Sequence, residues 1–268
     1  MAEQQESVPA AVPAAAAADD DAVMTASGAD DDAEAAEDEG EMPLLAHLVE
    51  LRKRIIRSLL AVAVGSGITY FFLDDIMKAL TAPVGKVYYM QPAEAFFTYI
   101  KVDVFAGFLL AIPFIFYQVW EFFLPALRKN ERRVLGIVVP ASIVMFFAGI
   151  AFSFVLVLPA AVKFFIGVGN EDLQALFSID KYFDFVLALI IPFGFIFELP
   201  LVIIILAKMG FITSEYLGRK QRIVIFLAFV IAAVISPSPD VITQCLIAIP
   251  MLLLYEIGYL VVRFIMKK

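Results

Sequence analysis

The residues of this sequence most able to do chemistry are carboxylates in unusual surroundings. Glu50 and Glu131 each lie among basic residues, in segments 50–54 and 128–133. Such a carboxylate can neutralise its own neighbours, as Glu50 would with Arg54 four residues further on. It can instead bind a cationic ligand, because a carboxylate accepts two hydrogen bonds from one guanidinium. The residues alone leave both interpretations open.

A third carboxylate, Glu198, lies inside an apolar segment, between Pro192 and Pro200. It is either a protonated group that bonds a neighbouring helix, or a functional group that docks a partner or occupies a hydrated cavity. Ionisable side chains are costly in lipid and mark functional sites. We therefore favour the functional interpretation.

Two polar residues mark the start of the last apolar segment. Asp240 and Gln244 are four residues apart, so they share one face of a helix. Asp240 ends the proline-rich stretch 236–240 and suits a turn or a helix cap. Gln244 lies within the apolar run, where an amide can hydrogen-bond a helix of another subunit.

The sequence has none of the patterns expected of an enzyme. It contains no glycine-rich phosphate loop, no Cys/His metal cluster and no nucleophile with a nearby base. Its single histidine, His47, is typical of a cap or surface residue, and its single cysteine, Cys245, has no intrachain partner. We predict a protein without catalytic residues, metal, cofactor or nucleic-acid partner.

The composition is that of an integral membrane protein. Hydrophobic residues make up 62% of the chain, with 26 phenylalanines and a mean hydropathy of +0.89. The net charge of −8 arises from an acidic, alanine-rich stretch at residues 1–41, and residues 1–51 contain no lysine or arginine. We predict a disordered tail at residues 1–41 and a membrane domain at residues 42–268.

The apolar runs indicate an all-α protein with six transmembrane helices, because about 20 apolar residues span the hydrocarbon core. The fifth run is short, and with the sixth it forms a short-legged hairpin that turns at residues 236–240. The predicted spans are residues 55–73, 96–124, 134–158, 182–207, 223–235 and 241–262.

The distribution of basic residues predicts that both termini are cytoplasmic. Most of the 20 Lys and Arg residues, including every arginine, fall on the side that holds the termini. Segments 74–95, which includes Pro83, and 159–181 fall on the opposite side. They form either an ordered cap or loops that rest on the lipid headgroups, and the sequence does not decide between these.

The chain resembles the TatC family, the multi-spanning receptor subunits of the twin-arginine protein translocase. The resemblance covers residues 43–268 and leaves the acidic tail outside the usual pattern. It rests on residues 42–54 (MPLLAHLVELRKR), 117–127 (YQVWEFFLPAL), 130–133 (NERR), 197–200 (FELP), 237–241 (PSPDV) with Gln244, 248–251 (AIPM) and 255–258 (YEIG).

The resemblance implies a concave bundle of six helices that binds the paired arginines of signal peptides on folded cargo. Glu50 and Glu131 would receive the arginines, and Leu51 and Phe122 would line the adjoining surface. Glu198 would lie in the concavity within the membrane, and Gln244 would belong to a face that docks single-span TatA/TatB-type subunits.

The resemblance also implies that the protonmotive force drives transport. We expect the chain to self-associate, and we take the bacterial inner membrane as its default location, with a plastid membrane as the alternative that the sequence leaves open. An ion-coupled secondary transporter with Glu198 as proton carrier is the main alternative. It is less favoured because the two halves of the sequence show no internal repeat. A passive membrane scaffold would need neither Glu50 nor Glu131.

Overall fold

The computed structural model describes residues 28–123, 132–167 and 176–265, and these residues are almost entirely helical. The chain divides into two units, Met1–Leu51 and Arg52–Lys268. A 3₁₀ turn (Tyr70–Phe72) and two π-helical segments (Ser153–Val157 and Val261–Ile265) continue neighbouring helices. The α-helices are α1 Gly28–Thr69, α2 Leu73–Thr81, α3 Glu94–Phe123, α4 Arg132–Phe152, α5 Leu158–Gly167, α6 Ile179–Phe197, α7 Leu199–Lys208, α8 Ser214–Ile235 and α9 Val241–Leu260.

Helix α1 begins inside the acidic stretch for which the sequence predicts no regular structure. Its first residue is Gly28, so residues 28–41 are helical, whereas residues 1–27 lie outside the described residues. Alanine and glutamate make up eight of residues 28–41, and both have high intrinsic helix propensity. The helix therefore extends upstream of the apolar run.

Among the described residues, five helical stretches are long and apolar enough to cross a membrane. They are Leu48–Thr81, Glu94–Phe122, Gly136–Gly167, Ile179–Lys208 and Val241–Phe264. Each overlaps one of the six predicted spans. The remaining prediction, residues 223–235, forms the second half of α8, whose first half carries charged side chains.

The turn between α8 and α9 is fixed by Asp240. Its carboxylate accepts a hydrogen bond of 2.7 Å from the backbone N–H of Thr243 and caps the N-terminus of α9. Burial alone would raise the pKa of Asp240. Hydrogen bonds from the Ser238 hydroxyl and the Thr243 backbone outweigh burial and hold that pKa below its ordinary value.

Glu198 lies at a break in the helical backbone. Helix α6 ends at Phe197 and α7 begins at Leu199, with Pro200 in the first turn of α7. Proline has no backbone N–H, so the ladder of i to i−4 hydrogen bonds cannot continue through it. Pro192, by contrast, lies within α6. The break thus occurs on the Pro200 side of Glu198 alone.

The core of the bundle forms where α4 packs on α6. A Cβ added to Gly149 would lie 2.3 Å from the backbone oxygen of Phe193, and one added to Gly194 would lie 2.5 Å from the ring of Phe146. The two backbones approach closely because these glycines have no side chain. Phe146 is fully buried and makes an edge-to-face contact with Phe195.

The N-terminal helix contacts α3 through a second pair of glycines. A Cβ added to Gly65 would lie 2.5 Å from the backbone oxygen of Gly107. Around this contact, Thr69 Oγ1 donates to Asp103 Oδ1 at 3.0 Å. The Gly65–Gly107 contact therefore sets the distance between α1 and α3.

An ordered cap joins the two segments that the sequence leaves as cap or loops. Tyr88 and Ser178 form an isolated parallel bridge, with Tyr88 N donating to Phe177 O at 2.9 Å and Ile179 N donating to Tyr88 O at 2.8 Å. Glu94 accepts hydrogen bonds from the Ser178 hydroxyl and the Asp180 backbone N–H. The structure favours the ordered cap.

The cap also holds the end of α2. Pro83 lies in the turn after α2, and the hydroxyl of Tyr182 donates to the carbonyl of Leu80 at 2.6 Å. On the adjoining face, Lys101 pairs with Asp180 at 2.6 Å and with Asp184 at 2.7 Å. Helices α2, α3 and α6 are thus connected at this end of the bundle.

Gly65→Ala should lower the stability of the membrane domain, whereas Gly67→Ala should not. The added Cβ of Gly65→Ala meets the backbone of Gly107, and overpacking of this kind costs about 1–3 kcal/mol. Gly67 has open space around it, and alanine is the better helix former. Thermal unfolding in detergent, followed by a thiol-reactive dye on Cys245, measures both, and equal midpoints would contradict the role of the contact.

Candidate functional site

Three polar side chains meet at the end of α3, and we name Arg54, Gln118 and Glu121 the α1–α3 polar cluster. Arg54 Nη1 donates to Glu121 Oε2 at 2.8 Å, to Gln118 Oε1 at 3.2 Å and to the backbone oxygen of Gln118 at 3.3 Å. The Arg54 side chain is only 12% exposed, while that of Glu121 is 36% exposed. The cluster therefore ties α1 to the last turns of α3.

Both the charge of Arg54 and its position at the end of α3 favour the hydrogen bonds of this cluster. A hydrogen bond between a guanidinium and a carboxylate is charge-assisted and stronger than one between neutral groups. The cation also lies at the C-terminal end of α3, where unpaired carbonyls carry partial negative charge. An arginine is thus well stabilised here.

The structure describes three of the four expected peptide-binding residues, two in α1 and one in α3. Glu50 and Leu51 are half-buried residues of α1, in the first unit. Phe122 is half-buried in the last turn of α3, in the second unit. Glu131 lies outside the described residues.

Glu198 is buried, with one carboxylate oxygen unpaired. Its side chain is 8% exposed, and Oε1 has no hydrogen-bond partner among the described residues. The neighbouring hydroxyl group is that of Ser142 on α4. A buried carboxyl oxygen without a donor is energetically costly, which sets Glu198 apart from the polar cluster.

Ser142 connects Glu198 to α3. The indole N–H of Trp120 donates to Ser142 Oγ at 3.1 Å, and Ser142 is fully buried. Because the hydroxyl accepts from Trp120, its own proton remains for a second partner. The half-buried Trp120 and the buried Ser142 and Glu198 therefore form a polar series across α3, α4 and the α6–α7 break. Trp120 lies two residues from Phe122 in the chain.

Gln244 uses its amide nitrogen within the bundle. Nε2 donates to the backbone oxygen of Phe229 on α8 at 2.9 Å, and the side chain is half-buried. The bond ties α8 to α9 close to the Asp240 cap. The sequence alone pointed to a bond with another subunit's helix, and did not foresee this one.

The polar side chains of the described residues can form hydrogen bonds and ion pairs, but they are not grouped as metal ligands. No group of three or more His, Cys, Asp or Glu side chains in them could hold a metal ion.

The sequence analysis did not identify Gln118, Glu121, Ser142 or the hydrogen bond of Trp120. One signal was present: Gln118 and Glu121 are three residues apart on one face of the second half of α3, which is otherwise apolar.

Comparison with known proteins gives similarity over nearly the whole membrane domain. The model of one protein family, "Sec-independent protein translocase protein (TatC)", matches residues 46–250. The TatC of Carboxydothermus hydrogenoformans is 38% identical over 235 residues, covering 86% of this chain and 97% of the relative. That of Aquifex aeolicus is 42% identical over 235 residues, covering 85% of this chain and 97% of the relative.

The three-dimensional structure is also similar to a solved one. The crystal structure of a twin-arginine translocase receptor, TatC, superimposes with a TM-score of 0.72 and shares 40% sequence identity. The match covers 81% of this chain and 98% of the solved one. At this identity, the likeness extends beyond the fold to the family.

Arg54→Gln should destabilise the membrane domain by about 1.5–3 kcal/mol, the usual contribution of hydrogen bonds to charged groups. The variant leaves Glu121 without its cation. Adding Glu121→Gln should recover part of the loss, because it removes the unpaired charge. Thermal unfolding in detergent measures all three proteins.

Arg52→Gln is the matched control, because Arg52 is exposed and lies two residues before Arg54 in the same helix. Its unfolding midpoint should match that of the unmodified chain. Strictly additive effects of Arg54→Gln and Glu121→Gln would show that the pair contributes nothing to stability.

Proposed function

Because the chain belongs to the family of TatC, the Sec-independent protein translocase protein, we propose that it is the signal-peptide receptor subunit of a twin-arginine translocase. The observation that carries the proposal is the 40% identity with the twin-arginine translocase receptor over 98% of that chain. The family and the apolar helices make this a multi-pass membrane protein.

The proposed topology has six spans, with the apolar half of α8 as the fifth. Both termini face the cytoplasm of a bacterial inner membrane. Support comes from the sequence positions of the basic residues, most of which flank the apolar segments at the ends predicted to be cytoplasmic, since cytoplasmic loops retain Lys and Arg. The cap that contains Pro83 and the turn at Asp240 then face the opposite side.

The proposed ligand of the cytoplasmic face is the arginine pair of the signal peptide. Glu50 and Glu131 would each receive a guanidinium, and Leu51 and Phe122 would contact the residues beside the pair. A carboxylate among basic residues is a selective partner, since the surrounding positive charge disfavours cations that cannot form the bidentate bond. The polar cluster supports this role by holding the end of α3, next to Phe122, against Arg54.

The proposed role of Glu198 and Gln244 is to dock single-span TatA/TatB-type subunits. The unpaired oxygen of Glu198 supports it, because a partner helix with a hydrogen-bond donor would satisfy that atom. Export of folded cargo would be driven by the protonmotive force, and self-association of the receptor would bring several docking faces together.

Glu50→Ala or Glu131→Ala should weaken binding of a twin-arginine signal peptide by about 1.5–3 kcal/mol, the usual range for a hydrogen bond to a charged group. Glu131→Lys should weaken it further, because repulsion is added to the lost contact. Peptide affinity for the reconstituted full chain measures this effect, with a twin-lysine peptide as the comparison.

Glu215→Ala provides a control carboxylate, since Glu215 is 82% exposed at the start of α8 and pairs with Arg219 at 3.6 Å. It should leave peptide affinity unchanged. Unaltered affinity in both Glu50→Ala and Glu131→Ala would falsify the receptor assignment of these residues.

Glu198→Gln should retain much of the export activity, and Glu198→Leu should lose most of it. Glutamine keeps the size and the hydrogen-bonding capacity, whereas leucine removes both. Export rates normalised to membrane-inserted protein measure the difference. Equal loss in both variants would instead show that the carboxyl must ionise, as in a proton carrier. Unimpaired export by Glu198→Leu would leave only a structural role.

A further inference from the structure

The helices α1 and α3 are in contact at two places. At one place Gly65 meets the backbone of Gly107, and at the other Arg54 bonds Gln118 and Glu121. An open groove with a volume of about 450 Å³ runs along the two helices from Arg57 past Gly65 to Ile68. The groove therefore begins beside the polar cluster and includes the Gly65 contact in its floor.

The groove is apolar along its length and basic at one end. Small residues, Ala61, Gly65 and Ala111, lie between exposed apolar side chains such as Val64 at 65% and Leu110 at 50% exposure. The only charged residue in its lining is Arg57, which is itself exposed. None of the hydrogen bonds or ion pairs found in the described residues involves Arg57.

We propose that this groove is a specific binding site for an anionic phospholipid, with an acyl chain along α1 and the headgroup phosphate on Arg57. Two properties of the groove select this occupant. Its apolar part extends from Arg57 to Ile68, about 16 Å of helix, which matches the half-thickness of about 15 Å of a hydrocarbon core. Its single cation lies where the phosphate of such a lipid would be.

The position of Arg57 makes the phosphate contact reachable. Arg57 lies slightly more than one turn from Arg52 and Lys53, which are exposed and suit the headgroup level. A guanidinium at this depth extends towards the interface and forms bidentate hydrogen bonds with phosphate. Arg54 is committed to the polar cluster, so Arg57 supplies the charge for the lipid.

The test uses two photoactivatable lipids with the same diazirine-labelled acyl chain, one a phosphatidylglycerol and the other a phosphatidylcholine. Each is added to phosphatidylcholine vesicles that contain the full chain. Mass spectrometry of the digested protein locates the crosslinks. We expect the anionic lipid to label the groove about fivefold more than the zwitterionic one, the size of one arginine's attraction to an anionic lipid surface.

Arg57→Gln should reduce labelling by phosphatidylglycerol to the level of phosphatidylcholine, and Arg57→Lys should retain most of the preference. Arg219→Gln is the control, because Arg219 is an exposed arginine of α8 outside the groove. Ala61→Leu should reduce labelling by both lipids, since it fills the groove. A twin-arginine peptide should not displace the lipid.

Equal labelling by the two lipids on the unmodified chain would overturn the proposal, and this comparison needs no variant. A photoreactive residue in place of Leu60 tests the other occupants. A crosslinked dimer would assign the groove to a second copy of this chain, and a crosslink to the peptide would assign it to the signal sequence. Either result would also overturn the lipid site.

Discussion

A polar group inside a membrane-spanning bundle must find its partner within the protein, because the hydrocarbon offers no water to replace it. This constraint explains where the helices of this chain meet. Arg54 joins α1 to α3, Trp120 joins α3 to α4, and Gln244 joins α8 to α9. Apolar packing holds helices in contact, but lipid tails are as apolar as leucine, so polar pairs and close backbone contacts fix which helices adjoin.

The glycine contacts also fix which helices adjoin, through close packing of backbones and not through polar pairs. Gly65 and Gly149 each lie opposite a backbone atom of another helix, so dispersion forces act at short range between main chains. Beside the Gly65 contact, α1 and α3 leave a surface groove that their apolar side chains do not fill. The small residues that allow close backbone contact thus also leave open space beside it.

Much of the architecture could be predicted from the sequence, because the length and the apolarity of a segment decide whether it crosses a bilayer. Five of the six predicted spans are confirmed by helices of the described chain. The remaining span, residues 223–235, stays a prediction, since charged residues occupy the other half of α8. The cap of α9 by Asp240 was foreseeable from the local turn chemistry. Family membership was readable from short motifs and is confirmed.

The polar pairs between helices could not be predicted in this way. That Arg54 bonds Glu121 on α3 depends on the register of two helices, which no local pattern contains. The same holds for the contact of Trp120 with Ser142, and for the bridge between Tyr88 and Ser178. Of the candidate site, the sequence therefore indicated Glu198 and Gln244, but neither the polar cluster nor the partners that these residues have in the fold.

Glu198 is one of three side chains in the described residues that hold a buried polar atom without a hydrogen-bond partner, the others being Ser153 and Thr243. Of these three it alone is ionisable, and Pro200 interrupts the helix beside it. An unsatisfied buried polar atom costs about 1–3 kcal/mol. Docking of a partner helix that carries a hydrogen-bond donor would remove this cost. Our proposal that such a helix docks at Glu198 therefore gives the unpaired oxygen a role in the assembled translocase.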